Sequence, residues 1–148
     1  YMSVSQERIP MLRTIPAAVL ISLASATPAQ AAASVSGLWL TAERDSIVEI
    51  APCVAALCGR VARILKPNPN GPPRDINNPD PALRSRPIQG LPILTGFRDA
   101  GRNWEGTAYD PRAGKSYRSY LTLMRDGTLE VKGCVGPFCR SKSWTPAR

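Results

Sequence analysis

SYRSYLTLMRDGTLEVKGCV, residues 116–135, decides how the chain folds. In its second half Leu129 and Val131 fall on one side and Thr128, Glu130 and Lys132 on the other, the period-two pattern of a strand with one buried face. Asp126-Gly127 carries the signature of a type I′ hairpin turn. Two antiparallel strands are therefore expected, Ser116–Met124 and Thr128–Val135.

Working outward, short runs of β-branched, aromatic and aliphatic residues recur between turn signals. Further strands are expected at Ser36–Ala42, Ser46–Ala51, Cys58–Leu65, Ile93–Arg98, Arg102–Tyr109 and Cys139–Thr145, eight in all. Their joints are mostly tight, at Glu43-Arg44-Asp45, Asp99-Ala100-Gly101 and Asp110 to Gly114. No stretch after Ala33 sustains a helical period. The fold class is all-β, an antiparallel eight-stranded meander. Closure into a small β-barrel would remove the exposed edges. Eight strands leave an interior either filled by side chains or just wide enough for one small ligand.

The exception is Lys66 to Pro92, where eight of 27 residues are proline and deny donors to any sheet. Within this long proline-rich loop, Asp80 is an N-cap followed by Pro81 at the first helical position, and Pro87 stops the turn. One helical turn is expected. The apolar residues Ile76, Leu83, Ile88, Leu91 and Ile93 predict a loop that packs down on the body.

Arg13 precedes the apolar run Ile15 to Ala26, which is followed by Ala29-Gln30-Ala31, a small-x-small pattern suited to signal peptidase. The run is too short to cross a bilayer as a helix. Residues 1–31 read as an N-terminal extension and cleavable signal peptide, with Met11 a better start than Met2. Residues 32–148 read as a single β-barrel domain, periplasmic or secreted. Residues 1–31 hold two of the 19 basic and one of the 11 acidic side chains, so the remaining 117 residues carry a net charge of +7. That charge is spread without a dense run, which describes a solvated surface. Nucleic acid is not an expected partner of an exported chain; a small amphipathic molecule or an anionic envelope component is. A monomer is expected, with no transmembrane span after cleavage.

The sequence has no histidine. Ser-His-Asp and Cys-His catalysis, His-ligated zinc and imidazole proton shuttling are thereby excluded. Four cysteines remain. Cys53 and Cys58, and Cys134 and Cys139, each bracket the joint between two expected strands, where cross-strand residues lie close enough for a disulfide. Two local disulfides are expected in an oxidising compartment. The rival reading is a structural zinc site built from all four thiolates.

Gly37-Leu38-Trp39 opens the first strand, and Trp144 with Arg140 or Lys142 offers a cation–π partner near the C-terminus. Among polar candidates, Asp75 and Asn78 can cap neighbouring amides, while Arg86, Lys115 and Tyr117 can orient an acidic ligand. Leu83 and Leu91 are the apolar contacts expected if the loop covers a ligand entrance.

Gly37-x-Trp39, the Cys53-x4-Cys58-Gly59 segment, Asp75-x-x-Asn78-Pro79, Arg86-Pro87-x-x-Gly90-Leu91, Tyr109-Asp110-Pro111-x-x-Gly114-Lys115-x-Tyr117 and Gly133-Cys134-x4-Cys139-Arg140 with Ser143-Trp144 occur in this order. Together they resemble a bacterial exported family, domain of unknown function 2147, over residues 36 to 146. The resemblance implies a lipocalin-like barrel in proteins with signal peptides, and it brings no reaction, cofactor or catalytic residue with it.

Three functional classes follow. The first is a binding module for a small amphipathic or apolar ligand in the bacterial envelope. The second is a structural or stress-related envelope protein whose basic surface binds anionic polymers. The third is a hydrolase using Asp75, Asp110, Lys115 or Tyr117, which would need paired carboxylates to converge. The binding module is the expectation, with no catalytic residue, metal or cofactor.

Overall fold

The computed structural model describes residues 26–66 and 68–148. Met2, Met11, Arg13 and the apolar run up to residue 25 lie outside the described residues. Eight strands follow one another in chain order: β1 Gly37–Leu40, β2 Ser46–Cys53, β3 Ala56–Ile64, β4 Pro92–Asp99, β5 Trp104–Asp110, β6 Lys115–Leu123, β7 Leu129–Val135 and β8 Phe138–Pro146. Each pairs antiparallel with its neighbour, and β8 returns to β1 through Trp39 opposite Pro146 and Leu40 opposite Thr145, closing the barrel. Among the described residues no helix is long and apolar enough to cross a bilayer.

Local chemistry moves several strand ends from their expected places. Asp99 accepts the amide of Gly101 at 2.8 Å and Ala100 N–H reaches Asn103 O at 2.8 Å, so the chain is still turning at Arg102 and β5 starts at Trp104. Pairing of Cys53 with Ala56 draws β3 two residues further back than Cys58 and leaves only Val54-Ala55 as the loop, Val54 having φ 51°. The Asp126-Gly127 turn is not type I′, which needs a left-handed backbone at both residues. Only Gly127 is left-handed there, at φ 84°. The Asp126 carboxylate accepts both the amide and the hydroxyl of Thr128, at 3.0 and 2.7 Å, and the chain closes as a wider turn with Met124 N–H on Thr128 O.

Chain direction gives the barrel two unlike ends. At one end lie the β2–β3, β4–β5 and β6–β7 turns and both chain ends of the domain. Here the core is dense: Val35, Trp39, Ile50, Phe97, Leu121 and Leu129 are buried together with Trp144. The indole N–H of Trp39 donates to Val35 O at 2.9 Å, so the segment before β1 is drawn across this end as a stopper. Gly106 makes room for it to fill, since a Cβ there would stand 2.7 Å from the Phe97 ring.

The expected cation–π contact of Trp144 with Arg140 or Lys142 does not form. Lys142 turns instead to Glu43, and the cation–π pair in the described residues is Arg118 over Tyr120, 5.5 Å from the ring centroid. The cysteines pair locally, Cys53 with Cys58 and Cys134 with Cys139. Cys134 and Cys139 are directly opposed in the register at a Cα separation of 4.1 Å, whereas Cys53 and Cys58 lie diagonally at 5.7 Å. One bridge sits at the filled end and the other at the opposite end, a placement no single tetrahedral zinc could use.

Peptide mapping of unreduced protein should return the Cys53–Cys58 and Cys134–Cys139 linkages. Replacing Cys134 and Cys139 together by Ser should lower unfolding stability by about 2 kcal/mol, the loop-closure entropy of so short a ring. Urea denaturation measures it.

Candidate functional site: the open end of the barrel

The second end is not filled by side chains, and a cavity of about 1110 Å³ opens there. Its deep wall is apolar, formed by Val48, Val61, Ile93, Ala108, Val131 and Trp144. Side-chain alternation then decides what stands above that floor. Leu129 and Trp144 are opposed and buried, so Val131 with Lys142, Gly133 with Arg140 and Val135 with Phe138 follow on the same inward face. Lys142 and Arg140 thus line the cavity, and Val135 and Phe138 stand exposed on its rim. Tyr117, opposite inward-facing Ala108, adds aromatic wall with a polar tip.

The mouth carries a chain of opposite charges. Lys142 pairs with Glu43, and Arg112 pairs with Asp45 and lies 3.7 Å from Glu43, tying together β8, the β1–β2 loop and the β5–β6 loop. Asp45 also accepts hydrogen bonds from Thr41 and Ser46, at 3.0 and 2.9 Å. Partial burial pushes the Glu43 carboxyl up, but the Lys142 hydrogen bond and the nearby cations outweigh it and hold the group below its ordinary value. The Asp45 carboxyl is lowered in the same way, its burial being overcome by Ser46, Thr41 and Arg112.

The proline-rich loop covers one flank of this mouth, and polar contacts fix it there. Asp75 is fully buried and accepts from Tyr109 Oη at 2.6 Å, Asn78 Nδ2 at 2.8 Å and Arg86 Nε at 3.0 Å. Burial alone would raise the Asp75 carboxyl, yet these three donors and the Arg86 charge hold it below the usual carboxylate range. Tyr109 moves the other way, pushed up by burial and by its bond to the Asp75 carboxylate. The single turn forms as expected, a 3-10 turn over Pro81–Leu83 with Asp80 accepting the Ala82 amide. Asn77 donates to Arg112 O at 2.9 Å and packs so close to Gly114 that a Cβ there would lie 1.8 Å from Asn77 O. Gly90 and Leu91 meanwhile bond to Val61, continuing the ladder of β3.

The sequence-derived candidates divide accordingly. Tyr117 lines the cavity; Asp75, Asn78 and Arg86 form the anchor within the loop that fastens it to Tyr109; Lys115 is exposed at the start of β6. Leu91 is buried, but Leu83 and Ile76 face solvent, 37% and 67% exposed, so the loop is not held down by them as expected. An electrostatic and hydrogen-bonded anchor replaces the apolar one. Alternation along β8 could have pointed to Lys142 and Arg140, given the inward Trp144.

A family model described as "Uncharacterized protein conserved in bacteria (DUF2147)" matches residues 37–146. No curated protein matches the chain significantly. Among solved structures, the chain is similar to one described as "Protein HP1028 from the human pathogen Helicobacter pylori belongs to the lipocalin family", at 22% identity and a TM-score of 0.69, covering 78% of this chain and 84% of that one. At that identity the likeness establishes a lipocalin-like fold.

Tyr109→Phe should destabilise the protein by roughly 1.5–3 kcal/mol, the range for a hydrogen bond to a charged group. Because the Asp75 carboxyl is lowered on folding, its contribution is present above about pH 4 and is lost as pH falls through the native value. The deficit of Tyr109→Phe should therefore narrow on acidification, as read by urea unfolding at pH 7 and pH 3. Gly114→Ala should loosen the loop, seen as faster amide exchange between residues 73 and 88.

Proposed function

The chain belongs to the DUF2147 family, and on the geometry of its open end we propose that it is an exported binding module for a small amphipathic molecule with an anionic head. The observation that carries this reading is the inward sequence of β8, in which Lys142 and Arg140 stand above the apolar wall of Trp144 and Val131. An apolar tail buried against that wall gains about 25 cal/mol per Å² removed from water. An anionic head at the mouth competes with Glu43 for Lys142 and with Asp45 for Arg112. The lipocalin-type barrel supports the same reading, since eight strands leave room for one ligand.

Hydrolysis is less well supported by the same residues. Asp75 is closed off from solvent with its oxygens engaged by Tyr109, Asn78 and Arg86, and Asp110 accepts the Arg112 amide at 2.9 Å. Both carboxylates serve local structure. Residence in the bacterial envelope belongs to the proposal through the signal-peptide pattern and the two disulfides.

The test uses two fluorescent probes, anionic anilinonaphthalene sulfonate and neutral phenylnaphthylamine. Saturable one-to-one binding of the anionic probe is expected. Lys142→Ala should weaken it about three- to tenfold, or ~0.7–1.4 kcal/mol, with a smaller effect on the neutral probe. Val131→Asp, which places a charge in the apolar wall, should weaken both. Failure of both probes to bind, with salt-sensitive retention on anionic envelope polymer, would overturn the proposal in favour of a surface-binding envelope protein.

A further inference from the structure

The filled end of the barrel holds a contact that the ligand cavity does not use. The backbone nitrogen of Ala32 lies 3.0 Å from each of the two carboxylate oxygens of Asp99, at the end of β4. As an amide, this nitrogen shares its one hydrogen between the two oxygens in a three-centre bond, whereas an α-ammonium would bring three hydrogens and a full charge to the same carboxylate. Ala32 is also the residue that follows Ala29-Gln30-Ala31. We propose that Ala31–Ala32 is a processing site and that Asp99 is the receptor for the α-ammonium it releases. Signal peptidase hydrolyses the Ala31–Ala32 peptide bond with one water; Ala31 leaves as a carboxylate, and the amine of Ala32 takes up a proton at neutral pH.

The surroundings fit a docked terminus. Residues 26–31 are exposed and in neither helix nor strand, and Ala32 is half-buried. The next residues are held one after another. Ala33 O accepts the Trp104 indole N–H at 2.8 Å, and Val35 is fully buried while its carbonyl accepts the Trp39 indole. Asp99 is itself positioned by the Gly101 amide at 2.8 Å. Ala32 to Val35 thus form a stopper across the filled end, attached by an ion pair at its tip, two indole bonds and one buried side chain. Arg98 and Arg102 neighbour the pair in sequence, Arg98 donating to Ala55 O at 3.3 Å.

Pairing with Asp99 raises the α-ammonium above its unfolded value of about 7.7–8.0. The stability it adds is fully present below that value and is lost as pH rises through the higher native one. The exported protein should begin at Ala32 on N-terminal sequencing. After reductive methylation with ¹³C, the α-amine signal should titrate above about 8, and in Asp99→Asn it should return to the ordinary range of a free terminus. The same variant should lower the melting temperature of processed protein by about 1–4 °C at pH 6, and by less in unprocessed chain, where Ala32 keeps its amide. A terminus elsewhere would overturn the processing site. A terminus at Ala32 whose amine titrates alike in the unaltered protein and in Asp99→Asn would overturn the receptor.

Discussion

A buried carboxylate governs the half of this barrel that holds the cavity. Asp75 brings a negative charge into a site closed to water, which is costly unless every oxygen finds a donor. Tyr109 from β5, Asn78 from the same loop and Arg86 from the returning limb meet that demand together. Since these donors come from three places along the chain, satisfying one carboxylate fixes the loop to the barrel wall and sets the outline of the mouth. The Asn77 contacts to the β5–β6 turn depend on this placement.

The opposite end follows a different principle. There the chain excludes water by volume, with Phe97 lodged over Gly106 and Leu94 over Gly59, where a Cβ would come within 2.7 Å of either side chain. Removing two side chains from the wall lets two larger ones occupy the axis, as close packing requires. The barrel therefore passes from a solid interior to a hollow one along its length. The disulfides respect that polarity: one closes a hairpin beside the packed core, and the other stiffens the hairpin that carries Val135, Phe138 and Arg140 at the mouth.

Most of the fold was legible because antiparallel strands with one buried face announce themselves by alternation, and Thr128 to Lys132 does so cleanly. The cysteine pairs were legible too, since each flanks a hairpin joint. The site was less so, for a physical reason. At the mouth the inward face is open to solvent, so Lys142 and Arg140 occupy positions that deeper in the barrel are apolar, and the period-two signal fades where the cavity opens. The Asp75–Tyr109 bond joins residues on separate elements, and no local spacing foretells it. Ile76 and Leu83 misled because apolar residues on a loop suggest burial, whereas the polar anchor leaves them free to face solvent.

Closure of the sheet rests on β1, the shortest strand, which meets β8 through Trp39 opposite Pro146 and Leu40 opposite Thr145, with Ala147 N–H reaching Leu38 O. Every other strand pairs with a neighbour next to it in the chain, so those ladders can zip up locally as hairpins. The first and last strands meet only after the whole domain has been traversed, and the loop entropy of that encounter falls on the final joint. The seam between first and last strands is also where the barrel is most thinly sewn, with two register pairs. The same seam is the place where a native sheet without edges could regain two, and the Lys142–Glu43 pair at the mouth bridges it from β8 to the loop that follows β1.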